Sequence, residues 1–421
     1  MAINSRRKIF SNFAALSVIQ GTNFLIPIII MPYLIRKIGA DSFGIVSVAQ
    51  VAMVYLGTIT DYGFNLTATR RIVRHKEEPD TISRLFFTVL GSKMLITLFL
   101  FLLLLLLGFV VPASPALKLL YLLGFTYVWG QSATVGWFFQ GVEKMQYITI
   151  ATLISRAIFV ALVFIFIRQK DDHIFFLFFL GIGNVIAGLF SIYLAIRMYK
   201  LRFVRPLWSD LIFELKDGWQ IMASNLSIST YMYMNVFILR LFTNDLIVGY
   251  YSIAERIFFG VRQILGIFSQ AIYPRICQLV HDGKKQTRSF FKDIYLPFLL
   301  LTIAGCCTCF IFAPRIIHFM LGDHSAISVL LFRILAFVPA IVCLNIPAYQ
   351  ILLAFNKKRS YLLILSLGTV LNIVANVLLV NRWEAVGTTI SIIITEVFIT
   401  VGLNIALFKN DLGDFIKPKS I

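Results

Sequence analysis

From Phe99 to Val111 the chain carries nothing but Phe, Leu, Gly and Val, inside an apolar stretch that starts near Leu85. About twenty such residues make a helix long enough to cross the hydrocarbon of a bilayer. Hydrocarbon offers no partner to backbone N–H and C=O groups, and a helix satisfies its own. Composition says the same of the whole chain. Of 421 residues 59% are hydrophobic and only 14% charged, with a mean hydropathy of +0.86. A water-soluble chain of this length carries nearly twice that share of charge. The expected fold class is therefore an all-α integral membrane protein. Ile9 onward reads as a full-length span without a small-residue cleavage site, so no cleavable signal peptide is expected.

Twelve transmembrane helices are expected, at about 9–31, 43–60, 85–111, 117–139, 148–167, 173–195, 219–242, 249–273, 294–313, 328–353, 360–380 and 385–408. Basic residues orient them. The N-terminus (Arg6, Arg7, Lys8), the even-numbered connections and the C-terminal tail together hold 25 Lys and Arg, against 7 on the opposite side. Lys and Arg favour the cytoplasmic side, which places both termini there. The alternation persists through all twelve spans, and one missed span would invert everything after it. The net charge of +18 thus serves topology and contact with anionic membrane lipids, and no nucleic-acid partner is expected. The longest non-cytoplasmic connection, near Pro314 to Ser328, is about fifteen residues, too short for a folded domain.

The second span opens Phe43-Gly44-Ile45-Val46-Ser47-Val48-Ala49-Gln50, and the eighth opens Val248-Gly249-Tyr250-Tyr251-Ser252-Ile253-Ala254-Glu255. Gly, Ser and Ala recur at the same spacing, offset by 205 residues, and the same offset sets Gln20 against Asn225. Gly141-Val142-Glu143-Lys144 and Ala354-Phe355-Asn356-Lys357 echo each other more loosely, at an offset near 213. An offset of six spans gives halves that enter the membrane in the same orientation, related by an axis along its normal. The expected organisation is an N-lobe over 1–205, a cytoplasmic linker over 206–218 and a C-lobe over 219–421, each lobe with six helices. Pro206, Trp208 and the Glu214 to Asp217 cluster point to an interfacial amphipathic segment in the linker. Two such bundles rocking about a midplane cavity have the arrangement that alternating access requires.

Ionisable groups inside spans are costly and are functional candidates by default. Here they are Lys93, Arg156, Arg240, Glu255, Arg256, Arg262, Arg333 and Glu396, with Asp61 at the cytoplasmic edge of the second span. Six of the eight are basic, which suits anionic cargo such as a pyrophosphate or an acidic sugar. Glu255 and Arg262, seven apart, share a face of the eighth span. Two roles stay open for them. Arg262 faces a ligand with Glu255 as a proton-titratable partner, or the two form an ion pair that holds the halves together. Arg156 and Glu396 also lie near mid-span. Arg240 and Arg333 are close to the outer ends, and Lys93 is expected to snorkel toward the cytoplasm. Gln20, Asn23 and Pro27 in the first span fall at i, i+3 and i+7. The seventh span holds Ser224, Asn225, Ser227, Ser229, Thr230 and Asn235, a stripe that suits a water-filled cavity. The cavity candidates are therefore Arg262, Glu255, Arg256, Arg156, Arg240, Arg333, Gln20, Asn23 and Asn225. The ion-coupling candidates are Glu255, Glu396 and Asp61.

No catalytic constellation is visible. The five histidines (His75, His173, His281, His318, His324) are expected in loops without a paired carboxylate, and the five cysteines in or beside apolar segments as small hydrophobes. There is no phosphate-binding glycine loop, so no ATP, metal or other cofactor is expected.

Four stretches resemble a known family. They are Pro32-Tyr33-Leu34-Ile35-Arg36-Lys37-Ile38-Gly39-Ala40-Asp41-Ser42-Phe43-Gly44; Asp61-Tyr62-Gly63-Phe64 with Thr67-Ala68-Thr69-Arg70; Trp137-Phe138-Phe139-Gln140-Gly141-Val142-Glu143-Lys144-Met145; and Val248 to Arg256. They are similar to the signatures of bacterial lipid-linked O-antigen repeat-unit flippases, within the multidrug/oligosaccharidyl-lipid/polysaccharide exporter superfamily. The resemblance covers nearly the whole chain. It implies two six-helix lobes about a V-shaped central cavity, in the bacterial inner membrane. It implies an undecaprenyl-pyrophosphate-linked oligosaccharide as cargo, moved to the periplasmic leaflet with coupling to a proton or sodium gradient. A polysaccharide polymerase and a chain-length regulator are the protein partners it suggests. Of the charged candidates, the resemblance strengthens Arg36 and Glu255, which adds Arg36 to the set. Two rivals remain: a drug/cation antiporter, which calls for an acid-lined cavity, and a membrane-bound glycan polymerase or ligase, which calls for a large periplasmic loop.

Overall fold

The computed structural model describes residues 2–75, 77–323, 325–355 and 357–415, with the side chains of 2–20, 23–25, 27, 28, 274, 281, 282 and 358 outside that description. Among the described residues the chain is helical, with no strand. It divides into two compact units, Met1–Met232 and Tyr233–Ile421. The first unit contains α1 (Ala2–Asp61), α2 (Phe64–Arg74), α3 (Pro79–Val110), α4 (Pro115–Gly124), α5 (Thr126–Ala133), α6 (Gly136–Gly141), α7 (Gln146–Phe166), α8 (Phe176–Tyr199) and most of α9 (Trp208–Phe242). The second holds the end of α9 with α10 (Asp245–Asp282), α11 (Lys284–Phe290), α12 (Leu296–Leu321), α13 (Ala326–Leu335), α14 (Val338–Ala354) and α15 (Lys358–Lys409).

Seven helical runs among the described residues are long and apolar enough to cross a membrane. Arg359–Lys409 has 51 residues, and α1, which enters the run Ile29–Arg74, has 60, each long enough for two crossings of about twenty residues. Each contains a break where two expected spans meet: Gly39 at φ 82° in α1 and Glu384 at φ 46° in α15. Gly39 adopts the left-handed backbone at little cost because it has no Cβ. Elsewhere the expected count of twelve is not reproduced. The fourth expected span, 117–139, is three short helices, because Thr134 takes an extended backbone after α5 and Val135 a non-helical one before α6. The tenth is divided between α13 and α14, and Pro339 opens the second piece, where a missing N–H costs nothing. The polar helices α9 and α10 are not among the seven. His173 and His318, expected in loops, lie in a 3₁₀ turn and in α12.

The aromatic signature Trp137-Phe138-Phe139 turns out to be a packing element. All three rings are fully buried with Phe64, Ile72 and Phe86. Close helix packing elsewhere in this unit depends on small residues. A Cβ on Gly130 would come 2.4 Å from Asn184 Cβ, and one on Gly181 would come 2.0 Å from Thr126 Oγ1. Without a hydrophobic driving force in lipid, such backbone proximity is a main source of helix association.

The expected linker is helical from Trp208 and runs without interruption into the seventh span. Asp210, Glu214 and Asp217 recur at i, i+4 and i+7, so they share one face. That face meets the arginines of α2 and α3. Arg84 grips Asp210 through two hydrogen bonds of 2.8 and 3.0 Å, Arg71 donates to the buried Glu214, and Arg70 lies 3.3 Å from Asp217. Bases read above as topology signals therefore also clasp the start of α9. Leu207, Trp208 and Phe213 remain more than half exposed, and the Arg71 guanidinium lies over the Phe213 ring, 5.2 Å from its centroid.

The two repeated segments behave alike in their own units. Ser47 and Ser252 are buried, both Oγ atoms without a hydrogen-bond partner among the described residues, and Ala49 and Ala254 are fully buried.

Candidate functional site

In the first unit the central polar feature is a buried ion pair. Lys93 Nζ lies 2.9 Å from Asp61 Oδ1 and donates to the carbonyls of Gln131 and Thr134 at 2.9 and 3.2 Å. Gln131 Nε2 donates to the other Asp61 oxygen at 2.7 Å. The ammonium thus has three acceptors, its full complement of protons. Lys93 was expected to snorkel toward the headgroups, yet it is 1% exposed. A carboxylate within reach, supported by an amide, compensates desolvation better than stretching to the interface.

Arg156 is half-buried on α7, next to Ser155, whose hydroxyl donates to Asn184 Oδ1 of α8 at 2.6 Å. Arg36 is exposed near one end of the unit, where Tyr33 donates to the Ile167 carbonyl at 2.8 Å and Asp41 pairs with Lys170 at 2.5 Å. Asn225 is half-buried on α9. Its neighbours Ser224, Ser227 and Thr230 each return their hydroxyl to the carbonyl four residues back, at 2.9 to 3.0 Å. That self-satisfaction lets a polar stripe exist without a partner helix. The side chains of Gln20 and Asn23 lie outside the described residues.

The second unit holds a longer network. Thr388 Oγ1 donates to Asn376 Oδ1 at 2.9 Å, and Asn376 Nδ2 donates to Asn235 Oδ1 at 2.8 Å. Asn235 is also hydrogen-bonded to Tyr251, whose hydroxyl donates to Glu255 Oε1 at 2.6 Å. Five side chains from α9, α10 and both legs of α15 are thereby joined, each no more than 6% exposed. Asn372 Nδ2 donates to Thr395 Oγ1 at 3.2 Å alongside. In a low dielectric such a satisfied chain fixes helix positions, whereas a half-satisfied one would be destabilising.

Arg262 finds Glu396, not Glu255. Its guanidinium lies 3.2 Å from Glu396 Oε1, with side chains 27% and 2% exposed. The pairing lies inside one unit, so of the two roles left open above, the ion pair, where Arg262 makes one, is with Glu396 rather than with Glu255. Glu255 is instead occupied one turn back by Tyr251. Arg256 is half-buried beside it. Arg240 is exposed and ties the turn between α9 and α10 through Asp245 at 2.6 Å and the Thr243 carbonyl at 3.2 Å. Arg333 lies over the Phe310 ring, 5.2 Å from its centroid.

The structure thus gathers Asp61 with Lys93, Glu396 with Arg262, and Glu255 with Tyr251 and Asn235. It leaves Arg36 and Arg240 at exposed positions. Sequence reasoning missed Asn372, Asn376, Thr388 and Thr395, because uncharged residues scattered through an apolar run raise no alarm singly. The i, i+4 spacing of Asn372 and Asn376 was the signal that could have found them. Among the described residues no three His, Cys, Asp or Glu side chains could hold a metal ion.

Comparison with known proteins places this geometry. The family profile described as "Polysaccharide biosynthesis protein" matches residues 9–280. A protein of Escherichia coli (strain K12) named "Putative O-antigen transporter" is 27% identical over 397 residues, covering 92% of this chain and 94% of its own. One of the same name from Shigella dysenteriae is 28% identical over 394 residues, covering 93% and 98%. Among solved structures, an inward-facing multidrug resistance MATE family transporter of the MOP superfamily aligns with a TM-score of 0.72 at 14% identity, over 97% of this chain and 100% of that one. The lipid II flippase MurJ in an inward closed conformation aligns with a TM-score of 0.71 at 12% identity, over 96% and 89%. At such identities the two structures establish the fold alone, an all-α one shared with these two transporters.

Proposed function

The chain belongs to the polysaccharide biosynthesis protein family, and from that premise we propose that it is a transporter that flips lipid-linked O-antigen or polysaccharide repeat units across the membrane. The observation that carries this reading is the match to two relatives named as O-antigen transporters over 92% and 93% of the chain. The buried groups agree with it. A chain that exposed acids to a cavity would suit cationic drugs, but Glu396 and Asp61 each face a base. A polymerase or ligase is disfavoured by the connection after α12, which ends at Leu321 before α13 opens at Ala326.

The carrier lipid is an undecaprenyl pyrophosphate, and transport runs from the cytoplasmic to the periplasmic leaflet of a bacterial inner membrane, with both termini cytoplasmic. The lobes are 1–205 and 219–421, six helices each, joined by the linker 206–218 and working by alternating access. Arg262, partly exposed beside Glu396, supplies positive charge for the pyrophosphate, with Arg256 and Arg156 as further cavity bases. Ion coupling resides at Glu255, Glu396 or Asp61. A polysaccharide polymerase and a chain-length regulator act next in line.

Deleting the gene in its host tests the proposal. Lipid-linked repeat units should accumulate on the cytoplasmic face and long-chain surface polysaccharide should disappear. Normal surface glycan in the deletion strain would sink it.

A further inference from the structure

A cavity of about 350 Å³ opens in the second unit where α12 meets α13, far in sequence from the buried pairs described above. Its polar lining is Asp323, Ser325 and Arg333, and its apolar lining includes Ile317, Val329 and Leu330. We propose that this cavity binds the headgroup of a single phospholipid with a zwitterionic, phosphoethanolamine-type head.

Three observations converge on that chemistry. One cation and one carboxylate line the same small cavity, which matches a headgroup carrying a phosphate and an ammonium rather than a simple anion. Arg333 is held without being consumed. Its Nε donates to the Phe310 carbonyl at 3.4 Å and its guanidinium rests on the Phe310 ring, while a guanidinium has five N–H donors in all. Arg315 rests on Phe312 in the same way, 5.3 Å from the ring centroid, an arginine-on-aromatic arrangement suited to the level of lipid headgroups. Finally, the rim leads onto bare apolar surface. Leu330 is 47% and Ile311 66% exposed, which gives acyl chains a path along α12. A volume of this size takes one headgroup and excludes a lipid-linked oligosaccharide, so the site is separate from the transport path. In the topology proposed above it lies at the non-cytoplasmic end of the unit.

The full-length protein in detergent is titrated with dioleoylphosphatidylethanolamine, dioleoylphosphatidylglycerol and inorganic phosphate, with bound lipid counted by native mass spectrometry and unfolding temperature recorded. Phosphatidylethanolamine should occupy one saturable site about tenfold more tightly than phosphatidylglycerol. Arg333→Gln should weaken both lipids by about tenfold, and Asp323→Asn should abolish the preference between them. Leu330→Trp, which fills the cavity and keeps both charges, should block the site while the protein unfolds at the wild-type temperature. Undiminished phosphatidylethanolamine binding by both Arg333→Gln and Leu330→Trp would assign the lipid to the general annulus and overturn the proposal. Competition by inorganic phosphate as strong as by the lipid would overturn it too, by making this a free-phosphate site.

Discussion

Lys93 shows how a membrane protein accommodates a charge it cannot leave in water. The ammonium sits at 1% exposure against Asp61, with two carbonyls completing its shell and Gln131 holding the carboxylate's second oxygen. Removing one member leaves the other charged and buried, which costs about 3–5 kcal/mol, whereas replacing both with apolar groups is close to neutral. Lys93→Met should therefore lower the unfolding temperature sharply in detergent, and Lys93→Met with Asp61→Leu should recover most of the loss. If the single variant unfolds with the wild type, the pair contributes nothing to stability. The double variant also separates roles, since a stable protein that no longer transports would leave Asp61 to ion coupling. Sequence placed both residues in or beside spans but could not pair them, because they come from different helices and only folding brings them together.

The start of α9 carries an acidic face beside exposed aromatic rings. Trp208 and Phe213 remain exposed, while Asp210, Glu214 and Asp217 meet three arginines. Glu214 is the member that differs. At 1% side-chain exposure, burial pushes its carboxyl above the ordinary glutamate value of 4.5, against the opposing pull of Arg71. A folded-state value above the unfolded one means that the folded protein binds the extra proton. The contribution is present in full below the unfolded value and is lost as pH rises through the raised one. Thermal unfolding followed between about pH 5 and 8 should accordingly show a component of stability that falls with rising pH, and Glu214→Gln should flatten it. An unchanged pH profile in Glu214→Gln would place the dependence elsewhere. The amphipathic character was legible from Pro206, Trp208 and the acidic cluster, but the partners were not. The same arginines read as topology signals, and nothing in their spacing marks a second task.

At the scale of the molecule, the question is whether the Arg262–Glu396 pair serves the fold, the cargo or both. The pair lies within the second unit, so it braces α10 against α15. Partial exposure of Arg262 lets an anionic cargo approach its guanidinium. A double-variant cycle separates these roles. Arg262→Gln should destabilise the protein by about 3–5 kcal/mol, and adding Glu396→Gln should restore stability by removing the orphaned acid. Transport, read as surface polysaccharide restored to a deletion strain, should stay at least about tenfold reduced in both. Normal transport by the double variant would confine Arg262 to bracing. The network from Thr388 to Glu255 belongs to the same scale, since it joins three helices through side chains that carry no charge except at Glu255.

What the sequence determined by itself was what adds up residue by residue. Transfer of an apolar helix into hydrocarbon is a sum over its side chains, so the apolar runs and the cost of each embedded charge could be read in order along the chain. The family signatures were legible too, although Trp137, Phe138 and Phe139 prove to be core rather than chemistry. Only the tertiary structure decided who partners whom. Glu255 lay on the right face of α10 for Arg262, yet Tyr251 one turn away and Glu396 on another helix took the two ends. The breaks in the fourth and tenth spans were decided there as well, because a helix interrupted inside a protein can satisfy its freed backbone groups with neighbours that no hydropathy sum contains.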